Sequence, residues 1–397
     1  MLIEPRLRGF ICTTAHPVGC RKIVEEQVSR ARRCSFRGPK SVLVIGASTG
    51  YGLASRIGAA FGAGAATCGV FFERPAEGER TASAGWYNTA AFGSLAGEEG
   101  LLVRNVNGDA FSAEIKKRTI DILRSDFPPV DLVIYSLASP RRTDPAGVTH
   151  RSVLKPIGKP FFGKTVQTDS GAVKEVAMEP ATEEEIAGTV AVMGGADWLL
   201  WMEALREADV LAKGAKSVAY GYVGPELTWP IYRYGTIGRA KEDLEATVEK
   251  IDRILAPLCG KANISINKAV VTQASAAIPV VPLYVSLLFK FMKEEGSHED
   301  CQDQMIRLFR ERLYPTEPLP DCAVDDVGRI RLDEREMKPV LQEKIRQVWS
   351  AIETDNLSTL TDFAGYQFDF LRLFGFGVEG VNYDEAVESD VPLRGMP

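Results

Sequence analysis

The chain has 397 residues, too many for one typical domain and too few for three comfortable ones. At 45% hydrophobic and 25% charged it has globular composition, which excludes a disordered or fibrous chain. With 47 basic and 53 acidic residues the formal net charge is -6, which argues against a general nucleic-acid binder.

Along the chain, a short extended segment leads to a helix near Val18–Arg33 and a Gly-Pro break. Ser41–Ile45 (SVLVI) is short, apolar and β-branched, the pattern of a buried parallel strand. A glycine-rich turn, Gly46–Gly52, opens a helix of small residues that runs to about Gly62. Further strands are expected at Thr67–Phe72, Leu101–Asn105 and Asp131–Tyr135, with a helix at Ala113–Arg124. This alternation predicts an open parallel sheet with helices on both faces. Residues 140–215 interrupt it with a hairpin around Asp169-Ser170-Gly171 and two helices, Glu183–Val192 and Ala196–Ala208. The sheet resumes at Ser217–Val223, a helix covers Thr236–Leu255, and Asn263–Val271 reads as another strand. Beyond 276 the chain is expected to be mostly helical. The whole, 1–397, is expected to be one enlarged domain: a nucleotide-binding part at about 40–140, an insertion at 140–215, a catalytic and substrate part at 216–320, and a helical extension at 321–397.

Seven cysteines without a CxxC, and three histidines without ligand spacing, argue against disulfides and against a metal site. Reduced thiols fit a cytoplasmic protein. The longest apolar run, Ala276–Phe289, is shorter than the roughly 20 residues a membrane span needs. It could instead wall an acyl pocket or serve as a core helix.

The loop Gly46-Ala47-Ser48-Thr49-Gly50-Tyr51-Gly52 lies between a strand and a helix, where glycine lets the backbone approach a pyrophosphate at the helix N-terminus. Its G-x3-G-x-G spacing is that of short-chain dehydrogenase/reductases. Glu73 closes the second strand, about 20 residues on, where a carboxylate accepts ribose hydroxyls and repels a 2′-phosphate, favouring NADH over NADPH. Asp109 follows the third strand, where adenine would lie. Leu137 and Ala138 follow the fourth, beside the nicotinamide ribose.

Tyr232 and Lys241 form a candidate acid–base pair, since a nearby ammonium lowers a tyrosine pKa. At about 100° per residue, their separation would put them on opposite faces of one helix, so Tyr232 must precede the helix and Thr236 could cap it. Tyr222, ending the preceding strand, is a second candidate. Arg141, Arg142, Lys155 and Lys159 form a basic cluster that could meet CoA phosphates or an acidic carrier.

The chain resembles the FabV-type enoyl-acyl-carrier-protein reductases, which are also trans-2-enoyl-CoA reductases. The likeness runs through VLVIGASTGYGLASRI (42–57), GVFFERP (69–75), NGDAFS (107–112), YSLASPRRTDP (135–145), YVGPELTWPIYRYGTIGRAK (222–241), KAVVTQASAAIPVVPLY (268–284) and LTDFAGYQFDFLRLFGFGVEGVNYD (360–384). The resemblance implies a Rossmann-like sheet of the short-chain dehydrogenase/reductase type and NADH-dependent reduction of enoyl thioesters in fatty acid biosynthesis. It puts the Y-x8-K proton donor on Tyr232, its lysine on Lys241 and the substrate-contacting tyrosine on Tyr222. NAD contacts fall on Gly46–Tyr51, Phe72, Glu73, Asp109, Ala110, Leu137, Ala138, Lys241, Val270, Val271 and Thr272. It also implies a monomer, with acyl carrier protein as a transient partner. One departure is Lys241-Glu242, where the family commonly has two lysines. A flavin label attaches to the family's C-terminal region, but no flavin fingerprint follows residue 300, so FAD is not expected. A carbonyl reductase of the same fold and a non-enzymatic NADH sensor remain as alternatives.

Overall fold

A computed structural model describes all residues except Phe10, 318–323 and Pro397. The start of the expected C-terminal extension (321–323, with Cys322) therefore lies outside the described residues. The N-terminal elements are β1 (Leu7–Arg8), β2 (Ile11–Cys12) and α1 (Pro17–Arg33).

The nucleotide-binding part follows as β3 (Ser41–Ile45), α2 (Gly50–Ile57), β4 (Ala66–Phe71), α3 (Ala84–Glu98), β5 (Val103–Asn107), α4 (Ala113–Asp126) and β6 (Val130–Tyr135). The α2 helix widens into a π-turn at Gly58–Gly62. Every residue of β3 is buried, because helices cover both faces of the sheet.

The insertion holds two antiparallel hairpins, β7 (Arg141–Thr143) with β8 (Thr149–Arg151), and β9 (Phe161–Val166) with β10 (Val173–Met178). Helices α5 (Glu183–Met193) and α6 (Ala196–Glu207) complete it. The first hairpin was not expected.

The sheet resumes with β11 (Leu211–Gly221), α7 (Thr236–Leu255) and β12 (Lys261–Ile266). Then come α8 (Gln273–Ala276), α9 (Val281–Glu294), α10 (Cys301–Arg307), β13 (Ile330–Arg331), α11 (Pro339–Trp349), α12 (Leu357–Leu360) and α13 (Phe363–Arg372).

Among the described residues, seven parallel strands form the central sheet in the order β13-β12-β11-β6-β3-β4-β5. The order reverses between β3 and β6, the crevice where open α/β sheets bind ligands. The chain is not purely helical after 276, since β13 adds to the sheet beside Ser265 and Ile266. The expected strand Asn263–Val271 ends at Ile266; the apolar residues beyond it are buried in a loop. The apolar run after 276 is also split, with Val280 at φ 72 starting α9 afresh. One apolar core joins Ile3 and Cys12, α9, and C-terminal residues from Leu341 to Phe376. Among the described residues, no helix is long and apolar enough to cross a membrane, and no group of three or more His, Cys, Asp or Glu is placed to hold a metal.

Candidate active site

The glycine loop is fixed by close approach. Gly46 has φ 91, and a Cβ there would lie 2.0 Å from the Ser136 carbonyl oxygen at the end of β6. A Cβ on Gly52 would lie 1.8 Å from the Gly46 carbonyl oxygen. Glycine at these two positions lets β3, β6 and α2 converge at the switch point. Thr49 is the N-cap of α2 without a side-chain cap bond, which leaves first-turn N–H groups for an anionic ligand.

Ser48 is buried, and its hydroxyl donates to Glu73 Oε1 at 2.6 Å. Asn107 brackets the Glu73 backbone, accepting its N–H at 2.8 Å and donating to its carbonyl at 2.9 Å. The Glu73 carboxylate lies so close to the first turn of α3 that a Cβ on Gly85 would be 2.0 Å from Oε1. Phe72 beside it is 74% exposed, an open aromatic face at the rim of the crevice.

Asp109 forms an Asx turn, accepting the Phe111 N–H at 3.0 Å. The Ala110 carbonyl accepts from Lys116 Nζ at 2.9 Å and from Trp201 Nε1 at 3.1 Å. Lys116 in turn pairs with Asp197 at 2.7 Å, and the Tyr135 hydroxyl donates to the other Asp197 oxygen at 3.1 Å. Burial pushes Asp197 up and Lys116 down, and their attraction opposes both shifts. This buried pair, which the sequence argument missed, ties the loop after β5 to the end of β6, where Leu137 is half-buried and Ala138 exposed. On the other side of the glycine loop, a Cβ on Gly50 would touch Thr272 at 3.6 Å, so Val270–Thr272 also reaches the crevice. Tyr51 points away from the crevice, donating to the Lys268 carbonyl at 2.6 Å.

Tyr232 precedes α7, as the spacing argument requires, while Lys241 lies in its second turn. A Cβ on Gly238 would lie 1.8 Å from the Arg233 carbonyl oxygen, so glycine lets α7 pack directly under the turn carrying Tyr232. Gly235, not Thr236, is the N-cap. Thr236 instead anchors the insertion, donating to the Val153 carbonyl at 2.5 Å. Tyr222, Tyr232, Gly238 and Lys241 line one small cleft. The rings of Tyr222 and Tyr232 meet edge to face, with centroids 5.1 Å apart and planes at 80°. Lys241 Nζ donates to the Tyr220 carbonyl at 3.0 Å, and burial lowers its pKa to about 8.

Two expectations are corrected here. Burial alone pushes the Tyr232 phenol above its ordinary value, so Lys241 does not lower it. Burial thus favours the neutral phenol at Tyr232. The basic cluster also dissolves: Arg142 is buried, donates to the Ala191 carbonyl at 2.8 Å and lies over the Phe111 ring. Lys155 pairs with Glu185 at 2.6 Å, leaving Arg141 and Lys159 exposed.

The sequence also concealed a carboxylate against this cleft. Glu336, fully buried, accepts the Tyr222 hydroxyl at 2.8 Å and the Tyr284 hydroxyl at 2.7 Å on one oxygen. Its run, Asp333-Glu334-Arg335-Glu336, reads locally as a solvated charged turn.

Residues 80–314 match the family model described as the trans-2-enoyl-CoA reductase catalytic region. The chain belongs to this family. Residues 2–78 match the NAD(P)H binding domain of trans-2-enoyl-CoA reductase, so the glycine loop and Glu73 fall within a described dinucleotide-binding segment. Residues 324–387 match a model described as an enoyl reductase FAD binding domain. The enoyl-acyl-carrier-protein reductase (NADH) of Opitutus terrae is 55% identical, over 99% of this chain and 100% of its own. The trans-2-enoyl-CoA reductase (NADH) of Ruminiclostridium cellulolyticum is 54% identical, over 100% of both chains. The crystal structure of the Clostridium acetobutulicum trans-2-enoyl-CoA reductase in complex with NADH superposes with a TM-score of 0.95, at 40% identity over 99% of each chain. That of the Treponema denticola trans-2-enoyl-CoA reductase in complex with NAD gives 0.93, at 47% identity over 98% of each. As a reductase of this family the chain has its tyrosine pair and Lys241 inside the matched catalytic region.

Proposed function

We propose that the protein reduces the trans-2 double bond of enoyl thioesters with NADH. The observation that carries this reading is the end-to-end identity with NADH-dependent enoyl reductases, joined to a dinucleotide crevice beside a two-tyrosine cleft. The glycine cradle and free α2 N-terminus suit a pyrophosphate, and the Ser48–Glu73 pair suits the adenosine ribose. Bound NADH supplies a hydride from nicotinamide C4 to the substrate β-carbon.

The protein's own residues then stabilise charge. As the β-carbon gains the hydride, negative charge gathers on the thioester oxygen. Tyr232, kept a neutral phenol by burial, donates a hydrogen bond to that oxygen, so the interaction strengthens in the transition state. The α-carbon takes its proton through Tyr232 or water. Lys241, half-buried in the same cleft, holds the nicotinamide ribose. Val270–Thr272, Leu137 and Ala138 form the walls of the cofactor crevice, and Asp109 and Ala110 its adenine end. The side chain of Tyr51 leaves only its backbone for the cofactor.

No step is routed through a flavin. Phe363, Tyr366 and Phe370 of the matched segment are buried in the core against α9, while Phe368 is 48% exposed. We take 1–397 as one folding unit, because N-terminal, central and C-terminal residues share that core. We also take the chain as a monomer that meets acyl carrier protein transiently. Its six described cysteines are thiols, in keeping with the cytoplasm. The names of the relatives lend nothing to carbonyl reduction or to a cofactor sensor.

The test is NADH oxidation with crotonyl-CoA and with an enoyl-acyl carrier protein, beside a ketoacyl thioester. Turnover of the enoyl substrates alone is expected; turnover of the ketoacyl substrate alone would overturn the reading.

A further inference from the structure

Glu336 lies between β13 and α11, far along the chain from Tyr222, yet its side chain is wholly buried. Its Oε1 accepts both the Tyr222 hydroxyl and the Tyr284 hydroxyl, at 2.8 Å and 2.7 Å, and its Oε2 accepts the Ala269 N–H at 2.7 Å. Gln342 closes the network, donating to the Glu336 carbonyl at 2.8 Å and to the Tyr284 oxygen at 3.1 Å. Lys268, 1% exposed, supplies the opposing charge: each group draws the other towards its ionised form, against burial.

A buried ion costs several kcal/mol, and an apolar residue of similar volume often holds a fold as well or better. Tethering the C-terminal segment therefore does not by itself explain a carboxylate here. One of its partners, Tyr222, lines the reacting cleft, and another, the Ala269 N–H, borders the cofactor crevice. Tyr222 follows β11, Ala269 leads into Val270–Thr272, and Tyr284 is on α9. A phenol has one proton to donate. Tyr222 donates its O–H to Glu336, while its ring stands against the Tyr232 ring with centroids 5.1 Å apart.

We propose that Glu336 is a positioning residue for the reduction: it fixes Tyr222 and turns the Tyr222 proton inward, so that Tyr222 backs Tyr232 and leaves Tyr232 the donor to substrate. This rests on the enoyl-reduction reading above. Glu336 touches no reacting atom and acts on the reduction through Tyr222. Removing its carboxylate frees the Tyr222 ring and loosens the aim of Tyr232; because it also releases the Ala269 N–H that leads into Val270–Thr272, NADH affinity is read separately from turnover.

The test is a double-mutant cycle on the full chain, Glu336→Gln with Tyr222→Phe, read by steady-state kinetics with crotonyl-CoA, direct NADH titration and thermal melting. Glu336→Gln is expected to lower kcat by about tenfold while the NADH Kd moves by less than about twofold. In the Tyr222→Phe background it is expected to cost nothing more, because the hydroxyl it acts through is gone. Effects that multiply in the double variant, or an NADH affinity that falls in step with kcat, would overturn the proposal. Should Glu336→Gln fail to fold, Glu336→Asp takes its place in the cycle, since it keeps the charge but is too short to reach both phenols. Failure of both to fold would make Glu336 a stability residue and overturn the proposal. Wild-type protein inert towards crotonyl-CoA would sink the functional reading and this assignment with it. That outcome is distinct from an active wild type with multiplying effects, which sinks this assignment alone.

Discussion

The Ser48 hydroxyl donates to Glu73 Oε1 at 2.6 Å, joining the glycine loop to the end of β4 and setting the carboxylate against the first turn of α3. A carboxylate held there has little freedom to swing away from a 2′-phosphate. Glu73→Ala is accordingly expected to narrow the preference for NADH over NADPH by about 1–2 kcal/mol, roughly 5- to 30-fold. The check is kcat/KM for both cofactors in wild type and variant. Equal use of both by the wild type would contradict it.

The proposed hold of Lys241 on the nicotinamide ribose predicts a pH dependence of definite sign. Burial lowers its pKa to about 8, so the ammonium is present below that value and is lost as pH rises through it. NADH affinity should then fall as pH rises through about 8. Lys241→Arg keeps its charge over that range and should flatten the profile, while losing part of the affinity because the guanidinium is bulkier. Lys241→Ala should weaken NADH binding and slow turnover together. Lys268, lowered to about the same value, is present in all these proteins, so a step it caused would survive in Lys241→Arg. Fluorescence titration of NADH on both sides of pH 8 decides between the two lysines.

Of the four cations expected to form the basic cluster, two are open, Arg141 and Lys159. Arg141→Glu with Lys159→Glu is expected to raise KM for an acyl-carrier-protein substrate at low salt, and the effect should fade as salt screens the charges. Arg142→Glu should act differently. It buries an unpaired anion and should lower stability by about 3 kcal/mol or more, seen as an early thermal transition. An unchanged, salt-independent KM in the first pair would leave the carrier without a docking role for this loop.

The central strands were legible because each feature was local. SVLVI and DLVIY are short apolar runs that can only be buried on both faces, and Thr236–Leu255 carries a clean amphipathic period. The α3 helix went unread because Ala84–Glu98 is small and apolar on nearly every side, and 11 of its 15 residues are buried, so it has no alternating polar face. Val270 and Val271 looked like strand because burial and strand share a composition, yet the hydrogen-bonded ladder stops at Ile266. The places of the glycine loop between β3 and α2, of Glu73 just past β4, and of Tyr232 ahead of α7 with Lys241 in its second turn were legible from spacing. The Lys116–Asp197 pair and the Glu336 network were not. Each joins side chains more than 50 residues apart, and neither leaves a pattern within one element.

The C-terminal match to a flavin-binding description has a direct check. The purified protein is expected to lack flavin absorbance, and added FAD should leave its rate with NADH unchanged. Stoichiometric flavin released on denaturation would contradict this expectation.

The central claim is that the Tyr232 hydroxyl stabilises the charge that gathers on the thioester oxygen. Tyr232→Phe removes that hydroxyl and keeps the ring that meets Tyr222. Steady-state turnover of crotonyl-CoA by this variant, run beside NADH titration, is the most direct measurement. The account predicts a kcat lower by about 10²–10³, with the KM moving less and NADH affinity intact. A variant with near wild-type kcat would contradict it.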